Sequence, residues 1–128
     1  GTAWPPVSST FTFVFSATEK VNKGVQLQEV ALFDAAGSFL EIASAANPGG
    51  RSNSGEGPDN LVDTGTNISG SKWLDLSMRE KGFSILELTL TQPAAVSVYA
   101  LWSAGHARGR NPRGWDLLAG DNSTGVWL

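Results

Sequence analysis

Residues 63–71, DTGTNISGS, gather side chains that could hold a hard cation. Their oxygen donors are Asp63, Thr64, Thr66, Asn67, Ser69 and Ser71. Calcium takes about six to eight oxygen ligands from carboxylates, hydroxyls and carbonyls, and the two glycines of the segment would let backbone carbonyls converge. Turns rich in Ser and Thr are also common without a metal, because their hydroxyls bond to the neighbouring backbone. The residues alone therefore allow either a calcium-binding loop or a turn held by its own side chains.

Residues that could carry out catalysis are few. The one histidine, His106, has no cysteine to pair with, since the chain contains none, and no serine stands in a nucleophile-elbow context. Asp59 and Asp63 are two carboxylates four residues apart, and a carboxylate pair is what glycoside hydrolysis requires. Capping of a helical turn accounts for Asp59 equally well. We therefore expect a protein that is not an enzyme.

A second group of candidate ligand-binding residues lies in the segment SAGHARGRNPRGWDL, residues 103–117. Arginine offers a planar fork of donors that suits hydroxyl-rich or carboxylate ligands. The alternative is that these arginines only solvate a loop while Trp115 enters the core. The loop 47–57 is rich in Gly, Ser and Asn, which is typical of a surface loop that carries function or is disordered. The residues predicted to form a shallow site are His106, Arg108, Arg110, Asn53 and Arg51.

Length and composition narrow the classes of protein. With 128 residues we expect a single domain, residues 1–128, that can bury its own core. A net charge of -3 without a basic run argues against nucleic acid as a partner. No stretch approaches the roughly 20 apolar residues that span a bilayer. The low charged fraction and 15 glycines are typical of a loop-rich extracellular or cell-surface domain, which we expect to be part of a larger protein.

Alternation of apolar and polar residues at period two predicts a series of short strands. The predicted strands are TFTFVFS, QLQEVALFD with a bulge or bend, FLEIASA, FSILELTL, VSVYALW, GWDLLAG and VWL. Residues 19–24, EKVNKG, are expected to form a hairpin-type connection, Gln92-Pro93 a turn, and residues 59–63 one helical turn after Pro58. About eight antiparallel strands with closely spaced turns predict an all-β fold, a sandwich or jelly roll.

Three segments, in chain order, resemble the discoidin or coagulation factor 5/8 type C family. They are GVQLQEVALFDAAG, PDNLVD followed by SKWLDL, and GRNPRGWDLLAGDNSTGVW. The resemblance implies a galactose-binding-like jelly-roll β-sandwich, in a family that overlaps with bacterial carbohydrate-binding modules. TFTFVFSATEK resembles the strand that normally closes such a domain. The expected fold is therefore a permuted roll with the closing strand first, a truncated roll being the alternative.

The resemblance also implies a structural calcium ion beneath the binding loops. The matching positions give Asp63, Ser71 and Glu29 as its ligands. The spacing from Asp63 to Trp73 is longer than is usual in the family, so either Thr66 replaces a customary ligand or the site is lost. The resemblance thus favours the metal site over the simple turn for residues 63–71.

Together these observations lead us to expect a non-catalytic, lectin-like carbohydrate-binding module whose partner is a glycan or glycoprotein. The alternative is a structural or adhesion domain that binds a protein partner within a larger surface protein. Binding to a membrane surface is not expected, because the loops carry Gly, Ser and Asn rather than apolar side chains, and there is no polybasic strip.

Overall fold

The computed structural model describes residues 4–21, 23–62, 72–105 and 107–128. Their strands are β1 (Val7–Thr18), β2 (Val25–Leu27), β3 (Glu29–Phe33), β4 (Ile42–Ala46), β5 (Trp73–Asp75), β6 (Ser84–Ala95), β7 (Val98–Trp102), β8 (Pro112–Ala119) and β9 (Val126–Trp127). One α-helical turn, α1 (Met78–Lys81), and two 3-10 turns, Pro58–Val62 and Arg108–Arg110, complete the regular structure. All paired strands are antiparallel, which confirms the all-β prediction.

β1 is the central strand of a five-stranded sheet with the order β4-β6-β1-β8-β9. The alternation of TFTFVFS predicted this strand, and its apolar face, Phe11, Phe13 and Phe15, is fully buried. Phe13 pairs with Leu86 of β6 on one side and with Leu117 of β8 on the other. Full burial of a side chain of this size stabilises the fold by about 1.5–3 kcal/mol, so this row of phenylalanines accounts for much of the core.

Two smaller sheets, β2-β5 and β3-β7, contact the apolar face of the five-stranded sheet. The ring of Phe13 meets Tyr99 of β7 edge-on, with centroids 5.2 Å apart. The ring of Phe15 contacts Trp73 of β5 at 5.8 Å. One cluster of buried side chains therefore lies between the layers, in a sandwich-like arrangement.

The hairpin predicted for residues 19–24 is not formed. β1 pairs with β6 and β8, and β2 pairs instead with β5, through Leu27 and Trp73. At the start of β2 the backbone comes so close to β5 that a Cβ on Gly24 would lie 2.9 Å from the carbonyl oxygen of Asp75. Gly24 thus permits the approach of two strands that are distant in sequence, which a local turn pattern does not reveal.

The turn predicted at Gln92-Pro93 is not found there, because β6 continues through these residues to Ala95. The connection to the next strand lies at residues 96–97. Pro93 is tolerated since it falls in an irregular stretch of the pairing between β6 and β1. Two regular pairs flank this irregular stretch: Ser8 lies opposite Ala94, and Thr10 lies opposite Thr89. Pro93 falls between Thr89 and Ala94. A proline at such a bulge removes no ladder hydrogen bond.

The alternating residues of VSVYALW do not all share a buried face. Val96 is buried ahead of β7, whereas Val98 and Trp102 are 57% and 47% exposed. Tyr99 and Leu101, which have the opposite parity, contact the core. β6 ends at Ala95 and β7 begins at Val98. The buried positions shift by one residue across this gap, and such a shift moves every following side chain to the other face.

Helical structure is limited in the described ranges. The helical turn expected after Pro58 is confirmed as a 3-10 turn that buries Leu61. Gly82, whose φ is 77°, caps the C-terminal end of α1. None of the helices described here has the length and apolar character needed to cross a membrane.

Candidate functional site

The turn that carries Arg108 and Arg110 is fixed at its start by Ala107. Ala107 has φ 57° and ψ 55°, the left-handed region that a residue with a Cβ seldom adopts. Its carbonyl oxygen accepts a hydrogen bond from Arg110 N at 3.0 Å and another from Gln26 Nε2 at 3.2 Å. Strained backbone persists where its surroundings hold it, and it is enriched at binding sites. The two arginines therefore project from a turn of defined conformation.

The end of β1 is bonded directly to this turn. Glu19 N donates to Asn111 O at 3.0 Å and Lys20 N donates to Gly109 O at 3.1 Å. The methylene groups of Lys20 lie against Gly109, where a Cβ would be 3.1–3.2 Å from them. Lys20 is thus held next to the turn Arg108–Arg110, here named the arginine turn. Because Gly109 has no side chain, it leaves the space that the Lys20 side chain occupies.

These two segments enclose a cleft of about 560 Å³, here named the basic pocket. It is lined by Glu19, Lys20, Lys23, Ala107, Arg108, Gly109 and Arg110. Glu19 Oε1 lies 3.8 Å from Arg108 Nη2, and the Arg108 side chain is 86% exposed. An exposed ion pair of this kind contributes about 0–1 kcal/mol. Arg108 is therefore available to bind a ligand.

A second cleft, the Trp115 pocket, adjoins the basic pocket and has a volume of about 540 Å³. It is lined by Glu19, Leu27, Leu101, Ser103, Asn111, Pro112, Arg113 and Trp115. Glu19 belongs to both pockets, and the consecutive residues Arg110 and Asn111 line one each. The two clefts are thus neighbours, and together they are here named the groove. Each falls within the range of about 300–1,000 Å³ that is usual for ligand sites.

Trp115 is oriented by contacts on two sides. Its Nε1 donates to the hydroxyl oxygen of Tyr99 at 2.9 Å, and its ring lies 6.3 Å from that of Phe15. The side chain is half-buried and packs against the buried cluster, so Trp115 enters the core in part, as the second reading of residues 103–117 expected. Trp115 thus packs against the core and also offers apolar surface to the groove.

The predicted ligand-binding residues divide into two sets. Arg108 and Arg110 line the basic pocket, whereas Arg51 and Asn53 line neither cleft of the groove. Arg51 Nη2 bonds to Glu80 at 3.0 Å, and Asn53 is an exposed loop residue. His106 lies outside the described residues.

Lys20 and Lys23, which the structure adds to the site, belong to EKVNKG, a segment read from sequence only as a polar connection. Two lysines in six residues were the available signal. What the sequence did not reveal was that this segment lies beside the arginine turn.

A buried chain of polar contacts, the polar relay, connects the groove to the loop 47–57. Lys72 Nζ donates to Gln26 Oε1 at 2.8 Å and lies 3.6 Å from Glu56 Oε2. Gln26, which is fully buried, donates in turn to the carbonyl of Ala107. Because buried polar groups are costly unless bonded, each member of the relay constrains the next. Gln26 and Lys72 therefore act as positioning residues for the arginine turn.

Asp75 organises the base of the same loop. Its carboxylate accepts hydrogen bonds from Ser84 Oγ at 2.6 Å, Ser77 N at 2.8 Å, Arg51 N at 2.9 Å and Asn47 Nδ2 at 3.2 Å. Burial raises the pKa of Asp75, but the bonds from Ser84, Arg51 and Ser77 outweigh it and hold the pKa below its ordinary value. The ionised carboxylate is thus part of the native structure.

Of the four predicted calcium ligands, only Glu29 lies in the described part of the chain; Asp63, Thr66 and Ser71 lie outside it. Glu29 is 7% exposed, at the start of β3. The pairing of Leu27 with Trp73 brings this end of β3 near the start of β5. Within the described ranges, no three His, Cys, Asp or Glu side chains form a group that could hold a metal ion.

Comparison with known proteins adds no relative to this description. No protein-family model matches the chain. No curated protein and no solved structure matches it either. The discoidin resemblance therefore rests on the residues of the three segments quoted above.

Proposed function

We propose that the chain is a non-catalytic carbohydrate-binding module built on a discoidin-like jelly roll, with the groove as its sugar-binding site. The observation that carries the proposal is the groove itself, in which Arg108 and Arg110 line one cleft and the half-buried ring of Trp115 lines the adjoining one. A sugar presents hydroxyl oxygens around its rim and C–H groups on its faces. Guanidinium groups can donate hydrogen bonds to the hydroxyl oxygens, and an aromatic or aliphatic wall can pack against the C–H faces.

The assignment of roles follows from position. Arg108 and Arg110 would donate to ring hydroxyls from the fixed turn, with His106 kept as a predicted further donor. Leu101, Pro112 and Trp115 give the adjoining cleft its apolar wall. A shallow groove of this type suits one or two sugar units of a longer chain.

The proposal is tested by blocking the groove. We expect wild-type protein to bind at least one member of a panel of neutral, N-acetylated and uronic oligosaccharides. Ser103 is exposed and lines the Trp115 pocket, so Ser103→Phe should fill that cleft and reduce affinity by about tenfold or more. Isothermal calorimetry measures the change, and circular dichroism checks that the variant is folded.

Ser54→Phe is the matched control, since Ser54 is exposed and lines neither cleft. It should bind the same sugar with unchanged affinity. Absence of binding to every sugar, or equal binding by Ser103→Phe and wild type, would contradict the proposed function.

We further propose that a calcium ion bound by Glu29, Asp63, Thr66 and Ser71 fixes the segment 63–71. The support is the buried carboxylate of Glu29 near the start of β5, together with the oxygen-rich composition of the segment. Carboxylate and hydroxyl oxygens are the donors that calcium prefers. The ion would neutralise the acidic groups and cross-link the segment to β3.

Calcium is accordingly expected to raise the unfolding temperature relative to EDTA, since a ligand of the native state alone stabilises it by about 2.7 kcal/mol at 100 times its Kd. Thermal unfolding followed by circular dichroism measures the shift. Glu29→Gln should abolish it, whereas Glu87→Gln, in the middle of β6, should not. Identical unfolding of wild type in calcium and EDTA would rule the ion out.

A second candidate function is a structural or adhesion domain that binds protein, and one observation favours it. The outer side of β7 carries Val98 and Trp102, both about half exposed, and Phe39 lies exposed against Phe33 of the neighbouring strand. Exposed apolar side chains in one region often mark protein contacts. Sedimentation of the protein over a range of concentrations separates the candidates, since self-association lost in Val98→Lys would favour adhesion.

A further inference from the structure

Positive charge is concentrated in one half of the groove. Four of the nine Lys and Arg residues of the chain line the basic pocket, with one of its twelve Asp and Glu residues. The chain as a whole carries a net charge of -3, so this pocket differs in sign from the protein. Like charges around one cleft repel each other, and that repulsion is relieved when an anion lies between them.

The protein itself neutralises this charge only weakly. The pair between Glu19 and Arg108 is long, at 3.8 Å, and largely exposed to solvent. Among the described residues, no carboxylate forms an ion pair with Lys20, Lys23 or Arg110. These three cations and the weakly paired Arg108 therefore remain available to an anionic ligand.

The shape of the cationic surface is fixed by the backbone. The bonds from Glu19 N to Asn111 O and from Lys20 N to Gly109 O join the lysine-bearing segment to the arginine turn. The left-handed Ala107, bonded to Gln26, fixes the other end of that turn. An anion would thus meet side chains carried on backbone segments whose relative position is set in advance, which lowers the entropic cost of binding.

We infer that the groove selects acidic glycans, with a carboxylate or sulfate group of one sugar in the basic pocket and the adjacent ring in the Trp115 pocket. The inference rests on the proposed carbohydrate-binding function and names its ligand class. Guanidinium groups bind planar carboxylates in bidentate fashion, and ammonium groups add point charges. The apolar wall of the adjoining cleft explains why a sugar bearing the anion fits better than the anion alone. A long polyanion such as DNA is a poorer match, because the remaining surface of the protein is acidic.

The inference is tested with matched pairs of ligands. One pair is a uronic-acid oligosaccharide and its carboxyl-reduced neutral counterpart, and the other is a sulfated oligosaccharide and its desulfated form. Calorimetry should show affinity about tenfold or more higher for the acidic member of at least one pair. Raising NaCl from about 0.05 to about 0.3 M should weaken only the acidic ligand, because salt screens the charges of an exposed site.

Substitutions then assign the effect to the basic pocket. Lys20→Gln, Lys23→Gln and Arg110→Gln should each weaken the acidic ligand about three- to tenfold, and the triple variant by more. Arg79→Gln is the control, because Arg79 is an exposed arginine on α1 that lines neither cleft of the groove. Lys20→Gln, Lys23→Gln and Arg79→Gln should leave the affinity for a neutral counterpart unchanged, since no sugar hydroxyl is assigned to these three side chains.

The outcomes distinguish this inference from the function on which it rests. Equal affinity for acidic and neutral members of both pairs would overturn the acidic preference and leave carbohydrate binding standing. Absence of binding to all four oligosaccharides, in the presence of calcium, would overturn both. Binding of inorganic sulfate or of a DNA oligonucleotide as tightly as the acidic glycan would show a general anion site and overturn the inference.

Discussion

Replacing Asp75 with alanine is expected to destabilise the protein by about 3–5 kcal/mol, a large part of the stability of a typical domain. Its carboxylate accepts from two backbone amides, Arg51 and Ser77, and from the side chains of Ser84 and Asn47. Truncation removes the shared acceptor. Each buried donor left without a partner costs about 1–3 kcal/mol.

Urea unfolding at neutral pH, followed by circular dichroism, measures this loss. Asp116→Ala is the matched control, because Asp116 is exposed on β8 and should change the free energy of unfolding by less than about 0.5 kcal/mol. Asp75→Asn keeps the shape but replaces one acceptor oxygen by a donor. It should therefore cost less than alanine and more than the control. A loss below about 1 kcal/mol for Asp75→Ala would contradict the role assigned to this carboxylate.

The same residue gives the protein a predictable response to acid. The pKa of Asp75 is lowered in the folded state from its ordinary value of 3.8. Its ionised form therefore stabilises the fold fully above pH 3.8, and this contribution is lost as the pH falls through the lower, folded pKa. The stability difference between wild type and Asp75→Asn should accordingly be constant near neutral pH and shrink below about pH 4. A difference that does not change with pH would mean that charge has no part in it.

The elements predicted correctly from sequence are those whose pattern is local. β1 was recognisable because Phe11, Phe13 and Phe15 alternate with polar or small residues over a stretch that is buried on one face. The helical turn after Pro58 followed from its capping residues. Which strands pair with each other was not predictable. β2 pairs with β5 across some 45 residues of chain, through the close approach at Gly24. Nothing in a local pattern encodes that contact.

In the candidate site, too, the residues that share a local pattern were predictable and those brought together by the fold were not. Arg108 and Arg110 were predictable as ligand-binding residues because side chains with strong hydrogen-bond donors are clustered in one short loop. Lys20 and Lys23 were not predictable in this way. They become neighbours of that loop only when β1 pairs with β8 and ends beside Asn111. Gln26 could not be identified either. A glutamine in a strand is ordinarily solvated, and only the fold shows that this one is buried.

Replacement of Gln26 is expected to cause the second large loss of stability. We expect Gln26→Leu to lower the free energy of unfolding by about 2–4 kcal/mol, although leucine is similar in size and apolar. The substitution removes an acceptor of the buried Lys72 ammonium, 2.8 Å away, and the donor to the carbonyl of Ala107, 3.2 Å away. Loss of a partner by a buried charge is among the most destabilising changes known for a single residue. Gln92→Leu, at an exposed position of β6, should change the stability little.

The substitution should also loosen the arginine turn, and this separates a positioning role from a purely structural one. Arg110 N and Asn111 N close the turn by bonding to Ala107 O and Arg108 O. Their amide hydrogen exchange should accelerate in Gln26→Leu by more than that of core amides such as Phe13. Gln26→Glu sharpens the test, because a carboxylate keeps an acceptor for Lys72 but cannot donate to Ala107. It should recover much of the stability while amide exchange at Arg110 and Asn111 stays fast. If Gln26→Glu restored slow exchange at Arg110 as well, the hydrogen bond to Ala107 would not be what holds the turn, and the polar relay would serve the fold alone.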